Sequence, residues 1–313
     1  MKNILLTGAT GFLGTRLLGV LHSKPDVKLT ALVRNNFNGN LPCNIIKQDI
    51  NTKTNWCNSL RGQDVIIHTA SRTHIMNDKS IDPLSEYRRV NVEGTYNLAK
   101  EAIKADVKRF VFISSIKVNG ERTFNGAKFS PDDVEEPKDF YAISKYEAEL
   151  NLKELASKSN MQVVIIRPPL IYGPGVKGNF RSIIKIIEKG LPLPFGAVHN
   201  QRSLVALDNL ADLIIVCLEH PNAADQIFLA GDGQDLSSTE IFREISNIMG
   251  KNLYLLPIPL ILMQLVAKLL NKDELLSRLT GDLQVDISKA QKILNWTPPI
   301  SVSEGLRRCL LKE

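Results

Sequence analysis

Tyr141 and Lys145 stand in a YxxxK spacing at the head of an amphipathic stretch. Four residues is about one helical turn, so both side chains share a face. A phenol in that setting exchanges a proton with a substrate alcohol as hydride moves. An ammonium beside it lowers the phenol's pKa and also holds a ribose hydroxyl. On its own the spacing is common on helix surfaces. It gains weight from Ser115, which closes the apolar run beginning at Phe110. A serine at that strand edge hydrogen-bonds the same substrate oxygen; Ser114 is the weaker second candidate.

A second constellation lies at the start of the chain. Gly8, Gly11 and Gly14 follow the first apolar run and open a helical pattern. The first glycine allows a tight turn, the second lets backbone approach a pyrophosphate, and the third permits close packing of helix on strand. Free N–H groups and the helix dipole favour the anion, which brings Thr10, Phe12 and Leu13 into the dinucleotide contact. Arg34 lies 20 residues past Gly14, and no Asp or Glu occurs between Thr30 and Asn40. That pattern favours the 2′-phosphate of NADP(H), with NAD(H) the alternative. Asp49 and Ile50, at the end of the third apolar run, are placed to meet the adenine end.

Positioning these groups takes a parallel sheet. "NILL", "KLTALV", "NIIK", "DVIIH", "RFVFIS" and "QVVIIR" read as six strands buried on both faces, and amphipathic stretches at 12–22, 87–105 and 142–158 lie between them. Repeated strand–helix units predict an α/β doubly wound (Rossmann) fold over residues 1–167. After Arg167, "RPPLIYGPGVKGNF" changes the rhythm. Residues 168–313 are expected to form a smaller mixed substrate-binding lobe, with a later strand returning to the main sheet. The ligand site then lies between the two, beyond the carboxyl ends of the strands.

Composition sets the outer limits. The 313 residues are 43% hydrophobic and 23% charged, which fits a globular core and excludes collagen-like, disordered and disulfide-scaffold classes. The excess of 39 Lys and Arg over 33 Asp and Glu is scattered, so it permits a phosphorylated ligand and argues against nucleic acid. Cys43, Cys57, Cys217 and Cys309 form no CxxC pair, which predicts reduced thiols, no metal site and a cytoplasmic location. Glycines interrupt the first apolar run, predicting neither signal peptide nor anchor. Residues 253–270 are too short and too broken by Pro257, Pro259, Gln264 and Lys268 for a membrane span, which takes ~20 apolar residues. A helix after Pro259 is expected, with peripheral membrane docking through 260–270 as the lesser alternative.

Thr7 to Gly14, "HTAS" at 68–71, "RVNVEGT" around Asn91, Ser115, and Tyr141 with Lys145 together resemble the extended short-chain dehydrogenase/reductases that act on nucleotide sugars. The likeness runs from residue 2 to about 310. It is greatest to the UDP-sugar 4-epimerase-like branch of bacterial O-antigen pathways, which also holds reductases of UDP-4-keto-6-deoxy-N-acetylhexosamines. The resemblance implies a tightly held nicotinamide cofactor, a Ser–Tyr–Lys triad and a homodimer. It adds Thr69, Ala70, Ser71, Asn91, Lys145 and Pro168 to the cofactor side, and Lys117 beside Ser115 to the substrate side. Asn179 and Phe180 match a pair that holds uracil and phosphate, Phe195 a segment along the uracil, Arg202 a pyrophosphate arginine, and Arg278 more loosely a second one. "VDISKAQKILNWTPP" matches the family's closing helix.

Two departures matter. Ile116 and Lys117 stand where the family's dehydratases place Asp-Glu, so 4,6-dehydration is not expected. Leu170 replaces an asparagine that contacts substrate. His74, in a polar loop, is a candidate to face the sugar, though a surface or structural histidine is the favoured reading. The leading expectation is an NADPH-dependent 4-ketoreductase of a UDP-4-keto-6-deoxy-N-acetylhexosamine. The alternative is a UDP-sugar 4-epimerase, and the remote third is a non-catalytic dinucleotide-binding scaffold.

Overall fold

The computed structural model describes residues 1–73, 80 and 82–310. Its main sheet is built from β1 (Lys2–Thr7), β2 (Val27–Val33), β3 (Asn44–Lys47), β4 (Val65–His68), β5 (Arg109–Ile113), β6 (Gln162–Arg167) and β9 (Ile227–Leu229). Their order is β3-β2-β1-β4-β5-β6-β9 and every pairing is parallel. This is the order of a doubly wound dinucleotide fold, with a strand from the second half of the chain added at the edge. Every residue of β4 and β5 is buried, as expected for strands covered on both faces.

One face of the sheet carries Leu13, Leu17 and Leu21 of helix Phe12–His22 together with Leu210, Leu213 and Ile214 of helix Leu207–Glu219. The other carries Leu98 and Ala102 of helix Gly94–Lys104 and Ala148 and Leu152 of helix Phe140–Ser157. Each fully buried leucine contributes roughly 1.5–3 kcal/mol. Residues 87–105, read as one amphipathic stretch, are divided. Pro83–Tyr87 is α-helical, Arg88–Glu93 widens to a π-helix, and Gly94–Lys104 resumes the α-helix. Hydrophobic spacing cannot register such a change, because it alters the hydrogen-bond step and leaves the buried stripe in place.

The remaining strands β7 (Leu170–Tyr172), β8 (Arg202–Ala206) and β10 (Asp235–Leu236) form a separate mixed sheet in the order β10-β8-β7. Tyr172, Phe180, Phe195 and Phe242 fill the core of that lobe. A buried ion pair fixes the catalytic-candidate helix to β6. Arg167 Nε and Nη2 donate to Glu149 at 2.9 and 2.6 Å, and Nη1 donates to Asn119 Oδ1 at 3.0 Å. Breaking such a pair from one side costs about 3–5 kcal/mol. The helix expected after Pro259 is Leu260–Leu269. No helix among the described residues is long and apolar enough to cross a membrane.

Candidate active site

Gly8 follows β1 with φ +70°, a conformation L side chains rarely adopt. A Cβ there would stand 2.6 Å from Thr69 Oγ1 and 2.7 Å from Ala70 N. At Gly14 it would stand 2.0 Å from Gly8 O. Backbone therefore meets backbone with no room for a side chain. Gly11 is the N-cap of helix Phe12–His22 and provides no side-chain cap, so the N–H groups of the first turn face outward for an anion. These residues fit the diphosphate of a dinucleotide.

Thr69 Oγ1 donates to Thr7 O at 2.7 Å and Ala70 N–H to Thr7 Oγ1 at 3.3 Å, which folds the 69–71 loop onto the glycine turn. His68 lies beneath, with Nδ1 on Thr7 Oγ1 (2.7 Å) and Nε2 on Thr95 Oγ1 (2.9 Å). Burial, with the charge of Lys145 adding, pushes its pKa down to about 3, so the ring is neutral and structural. Asn91, expected at the cofactor, is corrected. Its Oδ1 accepts from Ser71 Oγ (3.1 Å) and Arg72 N–H (2.7 Å), and its Nδ2 donates to Arg72 O (3.0 Å) and Ser144 Oγ (2.9 Å). An asparagine so satisfied has nothing left for a ligand. It ties the 69–72 loop to the helix of Tyr141, reached through Ser144 Oγ donating to Tyr141 O at 2.8 Å.

Tyr141 and Ser115 share a side-chain hydrogen bond. Ser115 is the N-cap of the short turn Ile116–Val118, where its Oγ accepts the Lys117 N–H at 3.3 Å. Burial, and then the negative charge of Asp139, hold the Tyr141 phenol above its ordinary range; the Ser115 hydrogen bond works against them and Tyr87 adds to them. The net shift is upward, and the lowering expected from Lys145 is not among its causes. The Lys145 ammonium is turned to Ile113 O at 2.7 Å and stands 4.3 Å over the Phe112 ring. Burial pushes its pKa down to about 7, against the upward pull of Glu149. Ser114, beside the triad, has a buried hydroxyl with no hydrogen-bond partner among the described residues.

Lys117, expected on the substrate side, is instead ion-paired with Asp139, whose other oxygen accepts Ala142 N–H at 2.8 Å and caps the Tyr141 helix. It braces the Ser115 turn against that cap. Pro168 is buried, and its carbonyl accepts Ile116 N–H at 3.0 Å. At the mouth of β2 and β3, Arg34 is exposed. Its neighbour Asn35 donates from Nδ2 to Asp49 Oδ2 at 2.9 Å, so the end of β3 brings a carboxylate to the end of β2. Ile50 packs on Gly94, whose added Cβ would stand 3.0 Å from Ile50 Cγ2.

On the lobe side, Arg202 Nη1 donates to Gly281 O at 2.9 Å. Burial pushes its pKa down, Asp282 opposes this, and the charge of Arg122 adds to it. Arg122 Nε lies 3.0 Å from where a Cβ on Gly281 would be. Two guanidiniums thus converge on one loop, and sequence reading found only one of them. The available signal was the position of Arg122 just past the Ser115 turn. Arg278 is paired with Glu274 on the exposed face of its own helix. The ring of Phe180 is 4% exposed and stacks on Tyr172 at 5.8 Å. Phe195 is likewise core, edge-on to Phe242 at 5.3 Å. Asn179 belongs to helix Gly178–Glu188, and its side chain, like His74, lies outside the described residues. Among the described residues no group of three or more His, Cys, Asp or Glu is placed to hold a metal.

A glycine cradle at a helix N-terminus, facing a hydrogen-bonded Ser–Tyr pair with a buried lysine, defines a dinucleotide-dependent enzyme of the short-chain dehydrogenase/reductase type. Residues 4–231 match the NAD dependent epimerase/dehydratase family, and the chain belongs to that family. Within it, the chain falls in the UDP-sugar 4-epimerase-like branch. It is 48% identical over 308 residues to a UDP-glucose 4-epimerase of Vibrio cholerae, covering 98% of this chain and 94% of that protein. It is 28% identical over 325 residues to the N-acetyl-alpha-D-glucosaminyl-diphospho-ditrans,octacis-undecaprenol 4-epimerase of Escherichia coli O157:H7, covering 99% and 95%. The fold is shared with the UDP-glucuronic acid 4-epimerase of Bacillus cereus in complex with NAD, at 21% identity, a TM-score of 0.78 and coverage of 98% and 96%.

Proposed function

We propose that the protein is a UDP-sugar 4-epimerase that retains NAD, acting on a sugar of the UDP-glucose or UDP-N-acetylglucosamine type. The observation that carries this reading is the hydrogen-bonded Ser115–Tyr141 pair above the glycine cradle, in a chain 48% identical almost end to end to a UDP-glucose 4-epimerase. Asp49 supports NAD over the NADP preference expected from Arg34. A carboxylate bonded to Asn35 disfavours a 2′-phosphate at that mouth and accepts from a hydroxyl.

The first-turn N–H groups of Phe12, Leu13 and Gly14, with Thr10 and Gly11, hold the dinucleotide phosphates. Asp49 and Ile50 meet the adenine end, and Thr69–Ser71, Lys145 and Pro168 the nicotinamide end. When bound, NAD supplies the acceptor and then the donor of the C4 hydride. Tyr141 takes the proton of the C4 hydroxyl and later returns it, and Ser115 aligns that oxygen. The phenol is protonated in the site as it stands, so its work as a base needs the positive charge that oxidised nicotinamide and Lys145 bring. Arg202 and Arg122 hold the sugar's diphosphate while the keto sugar turns over. Each cycle restores the cofactor, so no reductant is consumed.

Purified protein, with no added reductant, is expected to interconvert the C4 epimers of UDP-glucose or UDP-N-acetylglucosamine, followed by proton NMR. Tyr141→Phe should lower turnover at least ~100-fold and leave NAD binding intact. Stoichiometric oxidation of NADPH on a 4-keto UDP-sugar, with no epimerisation, would replace this reading by the ketoreductase.

A further inference from the structure

Asp139 stands two residues before Tyr141, and Lys117 two residues after Ser115. An ion pair therefore joins the same two segments as the Ser115–Tyr141 hydrogen bond. Asp139 has two effects at one place. Its Oδ1 accepts Ala142 N–H at 2.8 Å as the N-cap of helix Phe140–Ser157, which fixes where the phenol sits. Its negative charge opposes a phenolate on Tyr141. A cap needs an acceptor oxygen and no charge, so the two effects are separable. Lys117 Nζ meets the other oxygen, Oδ2, and the two side chains are only 18% and 28% exposed, which limits screening. The Lys117 N–H, donated to Ser115 Oγ at 3.3 Å, holds its segment to the other half of the site. Three further groups face this cluster. Lys145, one turn along the helix, is turned to Ile113 O at 2.7 Å. Tyr87, from the helix before, stands edge-on to the phenol at 6.4 Å with the Arg72 guanidinium 5.4 Å over its ring. Glu121 lies 3.8 Å from Lys117 and is 60% exposed.

We propose that Lys117 is a positioning residue for the proton transfer at Tyr141: its ammonium offsets part of the Asp139 charge, so the helix keeps a carboxylate cap beside a phenol that must ionise. The inference rests on the role of base given to Tyr141 above. Lys117 and Asp139 together present little net charge to the phenol, and loss of either uncovers the other.

The test is the pH profile of kcat/KM for epimerisation by the NAD-loaded protein, in Lys117→Met, Asp139→Asn and the double variant. Asparagine caps helices about as well as aspartate, so Asp139→Asn keeps the cap. A base must be ionised, so kcat/KM falls on the acidic side of its apparent pKa. Lys117→Met should move that acidic limb up by about one pH unit, a roughly tenfold loss on the limb and none on the plateau. Asp139→Asn should move the limb down, and the double variant should return it close to the wild-type position. Lys117→Arg should leave it in place. Phenolate absorbance of the NAD-loaded proteins, each read against its Tyr141→Phe counterpart, should shift in parallel and needs no substrate. The proposal is overturned if Lys117→Met lowers the plateau and leaves the limb and the phenolate titration unmoved, which makes the lysine a brace. It is equally overturned if the two single variants shift the limb in the same direction. Normal turnover in Tyr141→Phe is a different failure: it removes the base itself, and the reading above falls together with this one.

Discussion

In this reading, the glycine turn after β1 and the arginine pair beside Gly281 both hold a diphosphate, with opposite materials. The first uses no charged side chain. It relies on a φ of +70° at Gly8, on a contact at Gly14 too close for any Cβ, and on the uncapped first turn of helix Phe12–His22. The second relies on two guanidiniums drawn to one loop, with Asp282 the acid that partly offsets them. Backbone sites are rigid and poorly screened, because their dipoles are fixed by secondary structure. Side-chain sites carry more charge and stay adjustable, and they pay in mutual repulsion until an anion arrives. A cofactor kept through every cycle suits the first kind. A substrate that enters and leaves suits the second.

The sharpest way to break this contrast is Gly14→Ala. Its methyl would meet the Gly8 carbonyl, backbone that cannot swing aside. Overpacking typically costs ~1–3 kcal/mol and backbone contacts lie at or beyond that range, so NAD affinity should fall at least ~100-fold. UDP affinity should hold. Calorimetry with each ligand decides this, and equal losses in both would erase the distinction between the sites.

Arg202→Ala and Arg122→Ala come next. A hydrogen bond to a charged group contributes about 1.5–3 kcal/mol, so each variant should weaken UDP roughly 10- to 100-fold and leave NAD binding unchanged. The wild type should also lose UDP affinity more steeply with salt than NAD affinity. Unchanged UDP binding in Arg122→Ala would return that residue to the fold.

The smallest effect reads how dry the cleft between the two sites is. Burial takes Lys145 from an ordinary 10.5 down to about 7, so the unfolded chain binds the extra proton between those values. Stability therefore rises with pH across that window, on the order of 1 kcal/mol per unit. Lys145→Met should flatten the rise in urea melts taken between pH 7 and 9.5. The Tyr141 phenol, held high, contributes the opposite slope only above pH ~10. Identical pH slopes in the two proteins would show Lys145 to be hydrated.

This contrast also explains what could be read from the sequence. A conformational site leaves a local mark, and Gly8, Gly11 and Gly14 could be assigned from spacing alone. So could the six strands that open the fold: burial makes five of them largely apolar runs, and β3, at the sheet edge with no buried residue, still shows its central Ile45–Ile46 pair. An electrostatic site leaves no such mark. Arg122, Arg202 and Gly281 come from distant segments, and Arg278 has the right residue type but is committed to Glu274. The acid at the adenine mouth was legible as a position and not as a contact. No Asp or Glu lies on β2, and Asp49, expected at the adenine end from its place after the third apolar run, bonds to Asn35 because β3 lies beside β2 in the sheet. Phe180 and Phe195 pack in the core of the lobe, and sequence alone does not separate that from a ligand contact, since an aromatic packs equally well in a core or against a base.

Asn91 joins the 69–72 loop to the helix of Tyr141 through four hydrogen bonds from a single side chain. The loop cannot lift away without pulling on Ser144, and the helix cannot fray there without releasing the loop. In amide hydrogen exchange the two segments should therefore open as one cooperative unit, with one protection factor, although they are far apart along the chain. The protein cannot loosen its grip on one side of the cleft to admit a ligand and keep the proton-transfer residue in register on the other.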